Sequence, residues 1–503
     1  MAELSAPFPP GEYPVVVVGS GPGALQVSHS LRQLGVDHAV ISADPSPGGM
    51  FRRWPHFQRL LSWTKPHAPA ERGTRAYERY DWNSLLSVQP DCRALQPALM
   101  DGSSYFPSRP EMESNLAAFA DRAGVEIRYG CRWTGTRRVS GPDGDRFEIE
   151  TTDGVYRSGV FVVAVGVAEP FTPPGPGMEH TRHYAEVRGA ASYADRRILI
   201  IGKQNSGFEL ATGLLPWARQ LIMVSPSRTR LSVETRTLVG VRARYVQPYE
   251  DHVLGGGVSI LDASIDRIEA APDGRLTAHL RRTGGGADLA IEVDDAISAT
   301  GFVAPLLDLP DLGVQTFGAS RLPVQTPWWE SATVPGIFFA GTIGQGAKGL
   351  QKHGVPANSG AVHGARYNAR ILAGHIAERL GHEPESPRLA PDAAAVFIAT
   401  EFAEAADLFH QRGYLARVLT TDPGGGLRDD GVQPLAHILD AGGPDALAAT
   451  LEADGSGAIY PVIYTRIGGR VVEQAIEPDL FMRFDTIDSR RMIADLVGRV
   501  AGR

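Results

Sequence analysis

A glycine-rich turn near the start of the sequence has the residue types and spacing that bind an anion. Residues 15–24 read VVVVGSGPGA, in which Gly19, Gly21 and Ala24 fill a G-x-G-x-x-G/A pattern. The first glycine permits a tight turn, the second lets the backbone approach a pyrophosphate, and the small third residue lets a helix pack closely on a strand. With Pro22 and Gly23 opening the helix, its free N–H groups would face the anion. The pattern therefore favours a dinucleotide site over a chance glycine-rich turn.

An acidic residue that binds ribose is expected about 20 residues after such a turn. The aligned position is Ser42, and Asp44 follows two residues later. We predict that Asp44 substitutes for the usual acid beside Ser42.

A second turn of the same kind occurs at residues 198–211, ILIIGKQNSGFELA, where Gln204 replaces the middle glycine. Its strand–turn–helix context predicts a second nucleotide site. The candidate binding residues are Gly202, Lys203, Gln204, Asn205, Ser206, Gly207 and Glu209. Arg228 follows the next predicted strand, and an arginine there suits a 2′-phosphate, so NADPH is favoured over NADH. A solvated basic face is the alternative.

Together, the two predicted nucleotide sites indicate a bound flavin, FAD, that receives hydride from NADPH.

The elements around these turns predict an α/β fold. Pro14–Val18 reads as a buried strand, a helix runs from about Ala24 to Leu34, and Asp37–Ser42 reads as the next strand, which is typical of a parallel sheet covered by helices. Further predicted elements are a helix at Arg109–Arg122, a strand at Arg197–Ile201, a strand at Gly336–Thr342 with a long helical segment after it to about Leu380, and one helix at Ala393–His410. Ala458–Ile476 reads as a hairpin that turns at Gly468-Gly469.

We predict two Rossmann-like domains and a C-terminal α+β extension. The boundaries are 1–175 for the first part of the FAD domain, 176–290 for the NADPH domain, 291–383 for the second part of the FAD domain and 384–503 for the extension.

Composition excludes several classes of protein. The 503 residues carry a formal net charge of −8, without the basic excess of a nucleic-acid binder. Cys92 and Cys131, the chain's two cysteines, form no C-x-x-C pair and fit a reducing cytoplasm. No paired metal-ligand spacing, secretion signal or membrane-spanning stretch is recognisable. We expect a cytoplasmic homo-oligomer that binds no metal, nucleic acid or membrane.

Beyond the two turns, several motifs resemble the two-dinucleotide-binding flavoproteins, and among them the single-component flavin monooxygenases. These motifs lie within about residues 13–380 and include Gly48-Gly49-Met50 with Trp54, LSWTK at 61–65, Ala299-Thr300-Gly301 and FFAGT at 338–342. The resemblance implies that Gly48, Gly49, Met50 and Trp54 lie near the isoalloxazine and that Thr300, Gly301, Gly341 and Thr342 contact cofactor. It also makes Ser62, Trp63 and Lys65 candidate catalytic residues.

The resemblance implies an FAD-dependent monooxygenase that uses NADPH and O₂ and oxygenates a small-molecule heteroatom through a C4a-hydroperoxyflavin. GGMFRRWP at 48–55 is similar to biosynthetic amino-acid N-hydroxylases, which implies N-hydroxylation of an amino acid such as aspartate in antibiotic biosynthesis. Arginines between residues 52 and 79 suit a carboxylate or the cofactor phosphates, and Arg53, Lys352 and His353 are candidate substrate residues. The alternatives are an NADPH oxidase or reductase, an S- or Baeyer–Villiger-type oxygenase, and a non-catalytic nucleotide-binding protein.

Overall fold

The computed structural model describes residues 6–141, 144–237, 240–383 and 385–502. The chain has the predicted α/β fold, built on two mainly parallel sheets. The first sheet is parallel throughout, in the order Ile337–Phe339, Val160–Val163, Val15–Val18 and His38–Ile41. Every residue of Val15–Val18 is buried, as expected of a β-branched run covered on both faces.

The second sheet holds the second glycine turn at the end of one of its central strands. Its order is Leu289–Val293, Leu276–Arg282, Val258–Ala270, Gln220–Ser225, Arg197–Ile201, Asp295–Ser298 and Arg182–His183. The strands from Val258–Ala270 to Arg182–His183 are parallel, and the other two extend the sheet antiparallel. Both glycine turns therefore follow a buried parallel strand, as the sequence predicts.

Smaller strands complete these two parts of the chain. An antiparallel sheet contains Trp133–Gly141, Gly144–Thr151 and Gly154–Ser158. Two-stranded ladders join Glu169–Pro170 to Phe302–Val303 and Thr316–Phe317 to Leu322–Pro323.

The α-helices include the predicted Arg109–Arg122 at its predicted bounds. Ser108 Oγ accepts a hydrogen bond from the N–H of Glu111, whose carboxylate accepts from the N–H of Ser108, so a capping box fixes the start of this helix. The other α-helices of the described residues are Pro22–Gln33, Leu95–Leu99, Asn205–Leu214, Ser232–Thr235, Gln247–Val253, Val362–Arg379, Pro391–Glu404, Ala406–His410, Leu435–Asp440 and Ile487–Val500.

The C-terminal part of the chain forms a six-stranded antiparallel sheet. Its order is Arg388–Leu389, Leu427–Pro434, Leu415–Thr421, Ala446–Ala453, Ile459–Ile467 and Arg470–Ala475. The predicted hairpin is confirmed, because Gly468 and Gly469 join the last two strands and both have positive φ. Helices Pro391–Glu404 and Ile487–Val500 pack on this sheet.

Two helix predictions were wrong. The segment after Gly341–Gly344 is irregular until Val362–Arg379 begins, because Gly349 and Gly354 take positive φ and Pro356 lacks an N–H. The predicted helix Ala393–His410 is broken, because Ala405 is extended between the two observed helices.

No helix among the described residues is long and apolar enough to span a bilayer.

Candidate active site

The first glycine turn forms a cradle that side chains would fill. Gly19 has φ +135°, and a Cβ there would lie 2.5 Å from the carbonyl oxygen of Ala164. A Cβ on Gly23 would lie 2.5 Å from Cα of Gly341, so the helix can approach this backbone only through glycine. Gly21 is the N-cap and supplies no side-chain cap, which leaves the first N–H groups of the helix available to a pyrophosphate.

Asp44, the predicted ribose-binding acid, hydrogen-bonds to the first glycine turn. Its carboxylate accepts a hydrogen bond of 2.8 Å from Oγ of Ser20, and its N–H donates to Oγ of Ser42 at 3.1 Å. Ser20 belongs to the first glycine turn, so these bonds fix the carboxylate beside that turn.

A cavity of about 880 Å³ extends from this turn to the second one. The predicted residues on its wall are Gly19, Gly21, Pro22, Gly23, Ser42, Asp44, Gly49, Met50, Arg53, Trp54, Ser62, Asn205, Ser206, Glu209, Gly341 and Thr342. Ala24 is buried behind the wall. Gly48 lies next to the first turn, since its N–H donates to the carbonyl of Ser20 at 2.9 Å.

At the second turn, as at the first, neighbouring backbone atoms leave no room for a side chain on the glycines. Gly202 has φ +122°, and a Cβ there would collide with the carbonyl oxygen of Ala299. A Cβ on Gly207 would collide with the carbonyl of Gly202. The N-cap Gln204 has no side-chain cap hydrogen bond, so this helix start also offers N–H groups. Lys203 lies outside the cavity wall, because its ammonium binds the carbonyl of Leu261 and the carboxylate of Asp262.

Glu209 joins the second nucleotide region to a loop of the first. Its carboxylate accepts 2.8 Å from the N–H of Phe57 and 2.7 Å from the hydroxyl of Tyr184. The Tyr184 hydroxyl in turn accepts from the N–H of His56 at 3.0 Å. Burial raises the pKa of Glu209, which the two donated hydrogen bonds oppose. This junction holds the loop at residues 54–57 against the helix that begins at Asn205.

The three candidate catalytic residues do not come together. Ser62 lines the cavity and donates 2.6 Å to Oδ1 of Asn83. Trp63 stacks on Trp82 at 4.5 Å and lines a separate cavity of about 1220 Å³. Lys65 is exposed, with its ammonium 5.9 Å from the ring of Tyr80.

Gly202, Gln204 and Gly207 of the second turn do not line the cavity, and five predicted residues outside the turns also lie off its wall. The Thr300 hydroxyl donates to the carbonyl of Phe171 at 2.5 Å, and the carbonyl of Gly301 hydrogen-bonds His183. Arg228 and His353 are exposed.

Lys352 is the fifth. It pairs with Glu452 at 3.0 Å and Glu473 at 2.6 Å, so its charge is already compensated away from the cavity.

The cavity also contains residues that motif reasoning missed. They are the aromatic residues Tyr184, Tyr245 and Phe302 and the polar residues Arg132, Gln345 and Arg366. Phe302 directly follows the Ala-Thr-Gly motif, which is a usable signal. Lys348 lies within the glycine-rich segment 344–354 and Asn358 follows it, and both line the cavity. Among the described residues, no group of three or more His, Cys, Asp or Glu side chains could hold a metal ion.

Residues 16–341 match the sequence pattern of the pyridine nucleotide-disulphide oxidoreductase family. This match covers more than half of the chain, and the protein belongs to that family. The family contains FAD-dependent oxidoreductases, with NADP-using homologues, and the cradles at both turns fit the pyrophosphates of two dinucleotides.

Two relatives illustrate the sequence likeness. A mouse protein called FAD-dependent oxidoreductase domain-containing protein 2 is 26% identical over 384 residues, covering 71% of this chain and 56% of that protein. The chain thus spans about half the length of this relative. A ferredoxin–NADP reductase of Ralstonia pickettii is 25% identical over 337 residues, covering 65% of this chain and 79% of the reductase.

Solved structures share the fold. A Bacillus cereus bacillithiol disulfide reductase has a TM-score of 0.54 at 19% identity, covering 73% of this chain and 99% of the reductase. An ornithine N-hydroxylase of Kutzneria has a TM-score of 0.53 at 15% identity, covering 74% of this chain and all of its own. Both reductases and oxygenases therefore share this fold. The activity has to be inferred from the residues of the site and not from the fold.

Proposed function

We propose that the protein is a monooxygenase that uses FAD, NADPH and O₂ to hydroxylate the amine nitrogen of a small amino acid such as aspartate. One observation carries this proposal: both glycine turns and a polar end with Lys348 and Asn358 open into a single cavity that no cysteine lines. A flavin at the first turn, a nicotinamide at the second and a small polar substrate would share one space.

The cysteines argue against a dithiol acceptor for the electrons. Cys92 and Cys131 are buried free cysteines outside the cavity wall, and no C-x-x-C pair occurs in the sequence. Bound FAD supplies hydride acceptance and oxygen activation. Molecular oxygen can then accept the electrons, because it needs no thiol or other redox-active side chain from this protein.

We assign the first turn and Asp44 to FAD and the second turn, through Asn205 and Ser206, to NADPH. With this assignment, the FAD domain comprises residues 1–175 and 291–383, the NADPH domain comprises residues 176–290, and the extension comprises residues 384–503. The N–H groups at each helix start bind a pyrophosphate, and Asp44 accepts a hydrogen bond from a ribose hydroxyl.

The chain's own groups favour the neutral form of the substrate amine, which is the nucleophile. Arg366 and Lys348 place positive charge on the cavity wall, and a nearby positive charge lowers the pKa of an amine. The aromatic side chains of Trp54, Tyr245 and Phe302 line the cavity, and apolar walls of this kind limit the water around a reacting group.

A second candidate function is an NADPH-dependent reductase or oxidase that transfers no oxygen. The likeness to a ferredoxin–NADP reductase over 65% of the chain favours it. The two functions differ in product: a reductase or oxidase leaves every amino acid unchanged.

The test is product analysis with the FAD-loaded protein, NADPH, air and a panel of amino acids that begins with aspartate. We expect NADPH oxidation to rise with one amino acid and mass spectrometry to find that amino acid with one added oxygen. Hydrogen peroxide equal to the NADPH consumed, with the whole panel unchanged, would contradict the proposal and favour the second candidate.

A further inference from the structure

His363 lies fully buried directly behind the cavity wall. It follows Val362, which lines the cavity, and its ring stacks on Trp82 at 4.1 Å and meets His410 at 4.9 Å. Neither ring nitrogen of His363 has a hydrogen-bond partner among the described residues. Buried polar atoms without partners are rare in folded proteins and call for a physical reason.

Three arginines concentrate positive charge around this histidine. Burial, and then the charges of Arg366, Arg412 and Arg242, lower the pKa of His363 well below its usual value. Neither form of the imidazole offsets the guanidinium charges, since its protonated form is itself a cation. Arg366 is held in place by hydrogen bonds that include 2.5 Å to the carbonyl of Ser84.

The other two arginines differ from their paired neighbours. Arg75 and Arg370 both pair with the buried carboxylate of Asp407. By contrast, neither Arg242 nor Arg412 forms an ion pair with any residue that the structure describes, and the Nε of each is buried without a partner there. Burial lowers the pKa of Arg412 to about 10, with no acid to oppose it. Both residues are half-buried, and taking a guanidinium partly out of water without an anion costs free energy.

Each of these two guanidinium groups packs against an aromatic ring. Arg242 lies 5.8 Å from the ring of Trp82, and Arg412 lies 5.2 Å from the ring of Phe409. Arg412 donates one N–H to the carbonyl of Phe409 at 3.0 Å. The remaining donors lie in the guanidinium plane, where they match the two oxygens of a carboxylate.

Both arginines are attached to segments that form the cavity wall. The backbone N–H of Arg242 donates 3.1 Å to Oδ1 of Asn205, which lines the cavity. Next to Arg412, the carbonyl of Gly413 accepts from the N–H of Leu350 at 2.9 Å. Leu350 belongs to the loop that places Lys348 on the wall.

We propose that Arg242 and Arg412 form a carboxylate-binding recess that holds the acidic groups of the substrate beside the cavity. The inference rests on the proposed function, because it takes the ligand to be that enzyme's amino-acid substrate. It also gives residues 385–502 a role in substrate binding, since they supply Arg412.

The test is calorimetric titration of the FAD-loaded protein with each of the twenty amino acids and with succinate, followed by titration with NADP⁺. The variants are Arg242→Gln and Arg412→Gln, with Arg244→Gln, an exposed neighbour, as the matched control. We expect each of the first two variants to weaken binding of the best acidic ligand at least about tenfold, the value of one lost charged hydrogen bond. The control should change its Kd by less than about twofold.

Arg412→Lys gives a second readout if Arg412→Gln folds poorly. It keeps the charge but loses the planar fork, so its Kd should fall between those of the wild type and Arg412→Gln. NADP⁺ should bind all variants alike.

Three results would overturn the recess: no heat with any amino acid or succinate, equal carboxylate affinity in all variants, or a loss of NADP⁺ affinity in Arg242→Gln instead. Acidic ligands that bind in the predicted variant order but are never oxygenated would sustain the recess and refute the oxygenase.

Discussion

At the scale of single residues, the open face of Gly21 is where we place the flavin pyrophosphate. A Cβ there would have its nearest neighbour 3.9 Å away, at Cα of Gly49, so a side chain fits the protein but occupies the cradle. We predict that Gly21→Asp folds normally and loses bound FAD, because its carboxylate repels the pyrophosphate. The flavin absorbance of the purified variant measures this.

Gly159→Asp is the matched control, because Gly159 is exposed and a Cβ there meets nothing within 4 Å. It should retain FAD. A yellow Gly21→Asp protein with full flavin content would disprove the assignment of the first turn.

Arg228 tests cofactor preference at the same scale. It is exposed and follows the strand Gln220–Ser225, at the end where a parallel sheet binds ligands. Arg228→Ala should raise KM for NADPH about tenfold and leave KM for NADH nearly unchanged, because only NADPH carries the 2′-phosphate. Arg219→Ala, near the opposite end of that strand, should affect neither KM. Equal effects of Arg228→Ala on both cofactors would remove Arg228 from the phosphate site.

At the scale of elements, Glu209 is a positioning residue that ties the helix Asn205–Leu214 to the loop at 54–57. We predict that Glu209→Ala slows flavin reduction by NADPH about tenfold while FAD content stays normal, because the two cofactor regions lose their fixed arrangement. Rapid-mixing absorbance gives the reduction rate. Glu209→Gln keeps one acceptor oxygen and should lie between Glu209→Ala and the wild type. An unchanged reduction rate in Glu209→Ala, or a loss of FAD instead, would contradict this role.

Elements that are determined by residues close together in the sequence could be predicted from the sequence. The turn at 19–24 and the capped helix Arg109–Arg122 depend on neighbouring residues, and both form as predicted. Lys352 could not be placed, because its partner Glu452 comes 100 residues later. The helix break at Ala405 could not be predicted for the same reason. Ala405 precedes Asp407, and the ion-pair partner of Asp407 is Arg75, which is distant in the sequence.

At the scale of the whole molecule, Asp407 joins the C-terminal part of the chain to the segment around Arg75 and to the helix Val362–Arg379, which carries Arg370. Its carboxylate is fully buried and pairs with Arg75 at 2.8 Å and Arg370 at 3.0 Å. Asp407→Asn should lower the free energy of unfolding by about 3 kcal/mol, because it leaves Arg370 without its anion and Arg75 with Glu401 alone. Denaturant unfolding measures the change.

Asp495→Asn is the control, an exposed position on the helix Ile487–Val500 of the same region. It should change stability by less than about 0.5 kcal/mol. Equal stabilities of the two variants would show that the buried pair does not fasten the C-terminal part.

In the proposed reaction, electrons from NADPH reach O₂ in one cavity and one oxygen atom enters an amino acid. The first measurement is turnover with isotopically labelled O₂, NADPH and aspartate. We expect one labelled oxygen atom in the hydroxylated product for each NADPH consumed in that oxygenation step. Unlabelled aspartate together with labelled hydrogen peroxide equal to the NADPH consumed would contradict it.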